Sequence, residues 1–123
     1  VDGISWSKEG RQIIADKLDD AECQALPSVI QIGNQFHMYF CYRHAVDFRK
    51  NRNRGYRIGY AHSLNLVDWH REDEHAGIDV SSEGWDSEMQ CYPHVFEMDD
   101  EIYMLFNGNE FGRFGFGLAK LEK

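Results

Sequence analysis

The residues best placed to do chemistry lie close together in the second half of the chain. Trp85, Asp86 and Glu88 stand within four positions of one another. A carboxyl group can exchange a proton during a reaction, and it can accept hydrogen bonds from the hydroxyl groups of a ligand. An aromatic ring beside it offers a surface for stacking. We therefore predict Glu88 and Asp86 as catalytic candidates and Trp85 as a ligand-binding candidate.

The same stretch is one copy of an internal repeat. The frame Asp-x-Glu-x-Gln-x-x-Pro-x-Val begins at Asp20 and again at Asp86, so matching residues are 66 positions apart. Glu22 therefore corresponds to Glu88. A residue that recurs in every copy usually holds a loop by accepting backbone N–H bonds, so a structural role for both pairs of carboxylates stays open.

Other polar residues are candidates because they break the repeat or because they follow predicted strands. His94 stands where the first copy has Ser28, which makes it a candidate for contact with a bound molecule or with a cation, with an ordinary hydrogen-bonded histidine as the favoured alternative. Asn107, Asn109 and Arg113 lie in a glycine-bearing loop whose fixed donors suit the hydroxyl groups of a ligand or a carboxylate, with a turn built on Asn-Gly chemistry as the alternative. Arg43 is the counterpart of Asn107 at the end of a second strand, and it completes the predicted substrate-binding set.

The composition restricts the class of protein. A length of 123 residues suits one domain, and 42% hydrophobic with 14% aromatic content indicates a globular chain. The net charge of −8 would repel a phosphate backbone, so we expect no nucleic-acid partner. The basic run 49–54 is interpreted as a solvated loop, with a local anion contact as the alternative.

The same totals bear on location and on metals. No apolar run is long enough to span a bilayer, so we expect no membrane partner. Three cysteines without a CxxC pair favour the reduced thiols of a cytoplasmic protein over a disulfide scaffold. The six histidines lack metal-ligand spacing. We expect neither a metal site nor a cofactor.

Alternation of apolar residues predicts strands. Phe36–Tyr42 alternates strictly, with Phe36, Met38, Phe40 and Tyr42 on one face. Gly33-Asn34 and Asp99-Asp100 predict the hairpin turns of the two copies, and each proline is expected as the first residue of a strand. Residues 11–20 could pass for a helix on propensity, but they are interpreted as a connector. The predicted strands are one at Trp6, 28–32, 36–42, 56–61, one containing Trp69, 95–98, 101–106 and 114–119.

Four short antiparallel strands per repeat are typical of a β-propeller blade. We predict an all-β fold of about two four-stranded antiparallel blades. Residues 1–20 form a terminal strand and connector, 21–72 the first blade and 73–123 a second, incomplete blade. Two blades cannot close a ring, so the chain either lacks the remaining blades or forms a homo-oligomer. In the second case Trp6 of one copy would complete the last blade of its neighbour.

The order of these strands resembles a known superfamily. Pro-x-Val, then Gly-Asn-x-Phe-x-Met-Tyr-Phe, then Tyr56–Ser63, then Asp68-Trp69 are similar to the five-bladed propellers of glycoside hydrolase families 43, 32 and 68. The end of the chain is similar to the last blade of family-43-like proteins. This resemblance extends from about Trp6 to Glu122, and it implies a glycosidase-type β-propeller of which this chain supplies the C-terminal two blades.

The resemblance also implies a function. The partner would be a carbohydrate, and the chain would be the carbohydrate-binding portion of a glycoside-hydrolase-like propeller. Carboxylates would hydrolyse or transfer a glycosidic bond, one protonating the leaving oxygen while another activates water. The family's three funnel carboxylates match no positions here. The alternative is a non-catalytic sugar-binding or scaffold module that assembles as a homo-oligomeric ring.

Overall fold

A computed structural model describes residues 2–123, which form two antiparallel sheets. Four strands make the first sheet in the order β1-β2-β3-β4, and three make the second in the order β5-β6-β7. The predicted all-β fold is confirmed. The strands are β1 Glu22–Ile32, β2 Gln35–His44, β3 Arg57–Ser63, β4 His70–Arg71, β5 Cys91–Met98, β6 Glu101–Asn107 and β7 Phe116–Lys120.

Both hairpin turns form where the sequence predicts them. Gly33-Asn34 joins β1 to β2, and Asp99-Asp100 joins β5 to β6. Gly33 has φ 62°, a left-handed conformation that glycine adopts without a steric penalty. The turns therefore set the strand register, because each pairs the residues that immediately flank it.

The repeat is visible in the backbone as a bulge. The β1–β2 register shifts between Ala25 and Ser28, and the β5–β6 register shifts at the equivalent place in the second copy. At that point Leu26 and Tyr92, which are 66 residues apart, both have positive φ, at 47° and 58°. The expectation that each proline begins a strand is wrong. Each proline lies at the bulge, where the ladder is already interrupted and its missing N–H costs no hydrogen bond.

The two sheets pack face to face. The face of the first sheet that carries Tyr39, Cys41 and Ile58 contacts the face of the second sheet that carries Val95 and Met104. We call the face that carries Tyr39 the back face of the first sheet, and the face that carries Met104 the front face of the second sheet. Since Met104 is the repeat counterpart of Met38, the front face of each sheet carries the same residues of the frame. This stacking of front on back is the arrangement of neighbouring propeller blades.

The front face of the first sheet is covered by the N-terminal segment 9–18. Ile14 of this segment is buried against Met38 and Phe40. The Arg71 guanidinium donates to the carbonyl oxygen of Ala15 at 2.7 Å. The segment contains no helix, in agreement with its interpretation as a connector. It occupies the position at which a preceding blade would pack.

The predicted strand at Trp6 is wrong. Residues 2–5 curl into a turn because Oδ1 of Asp2 accepts hydrogen bonds from the N–H groups of Ile4 at 2.9 Å and Ser5 at 3.0 Å. The side chain of Trp6 is 88% exposed. The predicted strand at Trp69 begins one residue later, at His70, and Trp69 itself packs against the front face of the first sheet.

The back face of the second sheet has no cover among the described residues. The strands alternate there as they do in the first sheet, so this face is equivalent to the one that carries Tyr39. Its rings stack on one another, with His94 on Phe96 at 5.8 Å and Phe96 on Tyr103 at 5.7 Å between centroids. Phe116 and Leu118 of β7 are 74% and 60% exposed.

Candidate functional site

A groove of about 300 Å³ opens at the end of the sheets where β5 begins. Three segments meet there: the stretch before β5, the β2–β3 loop and the β6–β7 loop. The lining residues combine two carboxylates, one guanidinium, one aromatic ring and one thioether, and they are Glu88, Glu110, Arg49, Phe111 and Met89. Of the predicted site residues, Glu88 is the one that lines the groove.

Asn109 fixes the backbone that carries Glu88. Its side-chain oxygen accepts hydrogen bonds from the N–H groups of Glu88 at 2.8 Å and Met89 at 3.2 Å. Its Nδ2 donates to the carbonyl oxygen of Gly84 at 3.0 Å. Because Asn109 is buried and both ends of its amide are engaged, it positions the Glu88 segment. The carbonyl oxygen of Glu88 is held too, since Arg57 Nη1 donates to it at 2.9 Å.

The side chain of Glu88 differs from that of its repeat counterpart. Glu22 Oε2 accepts from the N–H groups of Lys17 at 2.9 Å and Leu18 at 3.1 Å, while Oε1 accepts from Arg71 at 2.7 Å. Glu22 therefore has the loop-holding role that the repeat suggested for both residues. Glu88 is exposed, and within residues 2–123 its carboxylate has no hydrogen bond or ion pair.

Glu110 enters the groove on a strained loop. Glu110 and Phe111 have consecutive positive φ values of 51° and 60°, which are unfavourable for residues with a side chain. Asn107 supports this conformation because its Nδ2 donates to the carbonyl oxygen of Phe111 at 3.2 Å. The Glu110 carboxylate forms an exposed ion pair with Arg113 at 2.8 Å. Asn107 and Arg113 thus both contact the segment that presents Glu110.

Arginine side chains stack on aromatic rings beside the groove. Arg43 lies 3.6 Å above the centre of the Phe48 ring and 5.3 Å from that of Tyr56. Its Nη1 donates to the carbonyl oxygen of His44 at 2.9 Å. Arg49 lies 5.1 Å from the centre of Phe48 and 4.9 Å from that of Phe111. Contacts of this kind fix a guanidinium while leaving its N–H groups available.

Asp86 and Trp85 do not line the groove. Asp86 is buried, and its Oδ2 accepts a hydrogen bond from Gln90 Nε2 at 2.9 Å. Trp85 stacks on Phe106 with a centroid distance of 5.6 Å. A Cβ atom at Gly117 would lie 2.7 Å from the Trp85 ring, so glycine is needed there for the indole to fit. The two side chains support the segment that leads to Glu88.

His94 lies apart from the other candidates, on the exposed back face of the second sheet. Residues 2–123 contain no group of histidine, cysteine and carboxylate side chains arranged to hold a metal ion. Within the same residues, no helix has the length and apolar character needed to cross a membrane. The described cysteines form no disulfide bond, and burial raises the pKa of the Cys41 thiol to about 11.

Four lining residues were not predicted from the sequence: Arg49, Met89, Glu110 and Phe111. The loop that holds Glu110 was selected for its asparagines, its glycines and Arg113, whereas Glu110 itself stands in no repeat frame. Arg49 belongs to a basic run that was interpreted as a solvated loop. The order of the strands offered a signal. Both loops follow the second strand of a copy, so they emerge at the same end of the molecule.

Two curated relatives match nearly the whole chain. They are the uncharacterized proteins Rv1502 and MT1551 from two strains of Mycobacterium tuberculosis, each 37% identical over 121 residues. The match covers 98% of this chain and 38% of each relative. The chain therefore spans well under half the length of the curated relatives it matches. No family model matches the chain.

Solved structures identify the type of fold. A glycoside hydrolase superposes with a TM-score of 0.66 at 19% identity, and BT0996, from a complex with RGII, superposes with 0.65 at 20%. Each match covers 94% of this chain and 32% of the other. Zg3597, a family 117 glycoside hydrolase of Zobellia galactanivorans, superposes with 0.65 at 11% identity over 85% of this chain and 36% of that one. The chain thus has the fold of a fragment of a glycosidase-like propeller.

Proposed function

We propose that this chain is the carbohydrate-binding portion of a glycoside-hydrolase-like propeller and that the groove beside Glu88 receives the sugar. The observation that carries the proposal is the pairing of Glu88 and Glu110 in one groove with Phe111. Carboxylates accept hydrogen bonds from hydroxyl groups, and an aromatic ring offers an apolar surface to a sugar ring. The glycoside-hydrolase-like fold supports the assignment.

If the intact protein is an enzyme, the same two carboxylates meet the minimum chemical requirement for cleaving a glycosidic bond. One must protonate the leaving oxygen while the other acts on the opposite side, as a base for water or as a nucleophile. We assign the acid to Glu88, because Asn109 and Arg57 fix its backbone from two sides. A catalytic role of Asp86 stays a prediction, and its burial favours a supporting one. No organic cofactor is required for this chemistry.

We further propose that the propeller has five blades, is family-43-like, and includes this chain as two of them, with the unit boundaries given in the sequence analysis. The strand order described there supports this. The one-third coverage of the glycoside hydrolase chains supports it as well.

Sugar binding and turnover can be tested on matched carboxamide variants. We expect Glu88→Gln and Glu110→Gln each to weaken oligosaccharide binding, measured by calorimetry, by at least ten-fold, and to abolish any release of aryl alcohol from aryl glycosides. Glu97→Gln is the control, because Glu97 is exposed and lines a cavity at the hairpin end of the sheets. Turnover that survives Glu88→Gln would remove Glu88 as the acid. Absence of sugar binding in the unmodified protein would refute the proposal.

The alternative is a non-catalytic sugar-binding module assembled from several copies. The exposed back face of the second sheet favours it, because apolar side chains such as Phe116 and Leu118 require a cover. We expect a solution mass above the 14.4 kDa of one chain in light scattering. Leu118→Lys should lower that mass, whereas Leu64→Lys, at a residue 70% exposed outside this face, should not. A monomer in which sugar binding persists would refute the assembly and leave the groove assignment standing.

A further inference from the structure

The β2–β3 loop is a basic island on an acidic protein. Residues 43–57 contain six of the 13 basic residues of the chain and one acidic residue, Asp47, although the whole chain carries a net charge of −8. The loop contributes Arg49 to the groove. A local positive field raises the concentration of anions at a cleft even when the net charge of the protein is negative.

The positive charges of this loop are not equally available. Arg54 is paired with Asp20, and Arg57 with Asp79 at 3.4 Å. The Arg43 guanidinium donates to main-chain carbonyl oxygens. In contrast, Arg49 contacts aromatic rings, and within residues 2–123 it has no hydrogen bond and no carboxylate within ion-pair distance. It stays unpaired although Glu88 and Glu110 line the same groove.

The position of Arg49 is defined by its aromatic neighbours. Its guanidinium lies about 5 Å from two ring centres, those of Phe48 and Phe111. These two rings also touch edge to face, with centroids 6.1 Å apart. A guanidinium held by rings keeps its planar fork of N–H donors for a ligand, and that fork matches the two oxygens of a carboxylate.

From this arrangement we propose that the groove binds an acidic sugar, with the carboxylate of a hexuronic acid residue on Arg49 and the sugar hydroxyl groups on Glu88 and Glu110. The inference rests on the proposed function and deepens it. The two carboxylates alone would repel an anionic ligand, but Glu110 is paired with Arg113 at 2.8 Å, and Arg49 supplies a positive charge that has no partner in the described residues. A sulfate ester on a sugar can also place two oxygens on the guanidinium fork, but it is a far weaker base than a carboxylate and therefore a weaker hydrogen-bond acceptor.

The test compares three trisaccharides that differ only in the group at carbon 6 of their sugar residues. They are a galacturonic acid trisaccharide, its carboxyl-reduced form with the same linkages, and the 6-O-sulfated form of the reduced sugar. We expect calorimetry to show at least ten-fold tighter binding of the uronide than of the neutral sugar, and weaker binding of the sulfated form than of the uronide. The uronide preference should decrease as salt is added, because exposed charges are screened.

Variants assign the preference to one side chain. Arg49→Gln should reduce the uronide preference, measured as the ratio of uronide to neutral-sugar affinity in the same variant, to less than three-fold. Lys50→Gln removes the same charge from the adjacent residue and should keep the preference. Arg49→Lys keeps the charge but loses the planar fork, so an intermediate preference is expected.

The outcomes separate this inference from the proposed function. Equal affinity for the uronide and the neutral sugar would overturn the inference while the sugar site stands. A preference that persists in Arg49→Gln, or that favours the sulfated sugar, would also overturn it. Failure of all three ligands to bind would overturn the sugar site itself.

Discussion

The two copies of the repeat have the same backbone and different surroundings. Each has a bulge that contains a proline, and each presents equivalent residues on its front face. In the first copy, segment 9–18 covers that front face, and both carboxylate oxygens of Glu22 accept hydrogen bonds. In the second, Glu88 is exposed in a groove and the back face is uncovered. The repeat frame thus specifies the fold, and the surrounding segments decide which copy keeps its glutamate exposed and unpaired.

The largest difference between the copies should appear in apolar truncations. Phe40 is 3% exposed on the covered front face, and its ring fills the space above Gly59. Phe40→Ala should lower the free energy of unfolding by about 3–5 kcal/mol in urea titrations, because a buried ring is lost and a cavity remains. Phe116→Ala, on the uncovered face, should change it by less than about 0.5 kcal/mol.

An equal loss at both positions would contradict the idea that the back face is open. Phe116 would then be buried by something outside the described residues. Measuring the Phe116→Ala effect at two protein concentrations separates these cases, because burial by another copy makes the apparent stability depend on concentration.

The next difference concerns the paired carboxylates. Glu22→Gln removes one of the two carboxylates that pair with the largely buried Arg71, whose side chain is 12% exposed, and leaves Asp73 at 3.0 Å as its partner. We expect a loss of about 1.5–3 kcal/mol in unfolding free energy, since a hydrogen-bonded ion pair between two buried side chains is lost. Glu88→Gln should cost less than about 0.5 kcal/mol. If both variants are equally stable, the assignment of a structural role to Glu22 is wrong.

The pH dependence gives a second test of the same pair. Although burial opposes it, hydrogen bonds from Lys17 and Arg71 hold the pKa of Glu22 below its ordinary value of 4.5. A depressed carboxyl pKa adds stability that is present above pH 4.5 and is lost as the pH falls through the folded-state pKa. Glu22→Gln should therefore flatten the acid limb of the stability curve, and an acid limb that is the same in this variant as in the unmodified protein would exclude Glu22 as its source.

The strands and turns could be predicted because their signals are local. Alternation in Phe36–Tyr42 and the turn at Gly33-Asn34 need no knowledge of distant residues. The strand predicted at Trp6 is absent because the Asp2 side chain accepts hydrogen bonds from the backbone N–H groups of Ile4 and Ser5 and makes a turn. Similarity to the Asp-Trp of the first blade could not reveal that competition.

The groove was less predictable for a different reason. Its lining residues come from three loops, and their meeting depends on loop conformation rather than on periodicity. Glu110 adopts a positive φ that its residue type disfavours, so no local preference would have indicated it. Glu88 could be predicted because it belongs to the repeat frame. The different role of Glu22 could not be predicted, because it depends on hydrogen bonds with segment 9–18 and Arg71.

A row of histidines distinguishes the first sheet by a smaller effect. His37, His62 and His70 lie side by side across β2, β3 and β4, where the second sheet has Tyr103 and Lys120. His37 Nδ1 contacts the Tyr60 hydroxyl at 2.7 Å, and His62 contacts Glu72 at 3.2 Å. Burial, together with the charge of His62, lowers the pKa of His37 below 6.5.

A lowered histidine pKa makes the folded state bind fewer protons than the unfolded chain. Stability should therefore fall as the pH decreases below 6.5 towards the folded-state pKa. The loss should stay well below the roughly 1.4 kcal/mol of a full pKa unit, because solvent screens this half-exposed row. His37→Gln should remove part of the change in urea midpoint between pH 7.5 and 5.5. An unaltered pH dependence in that variant would exclude His37 as its source.

The smallest effect is expected at Leu26, in the bulge of the first copy, where the backbones of the two copies are most alike. Leu26 is 55% exposed, whereas Tyr92 packs on Tyr56 with ring centroids 5.8 Å apart. Leu26→Gly relieves a left-handed conformation by about 1 kcal/mol but adds a similar entropy to the unfolded chain. Its urea midpoint should therefore hardly change. Tyr92→Gly gains the same relief and loses the ring contact, so it should be clearly destabilising. Equal effects of the two variants would mean that the bulge conformation, rather than the packing around it, dominates at both sites.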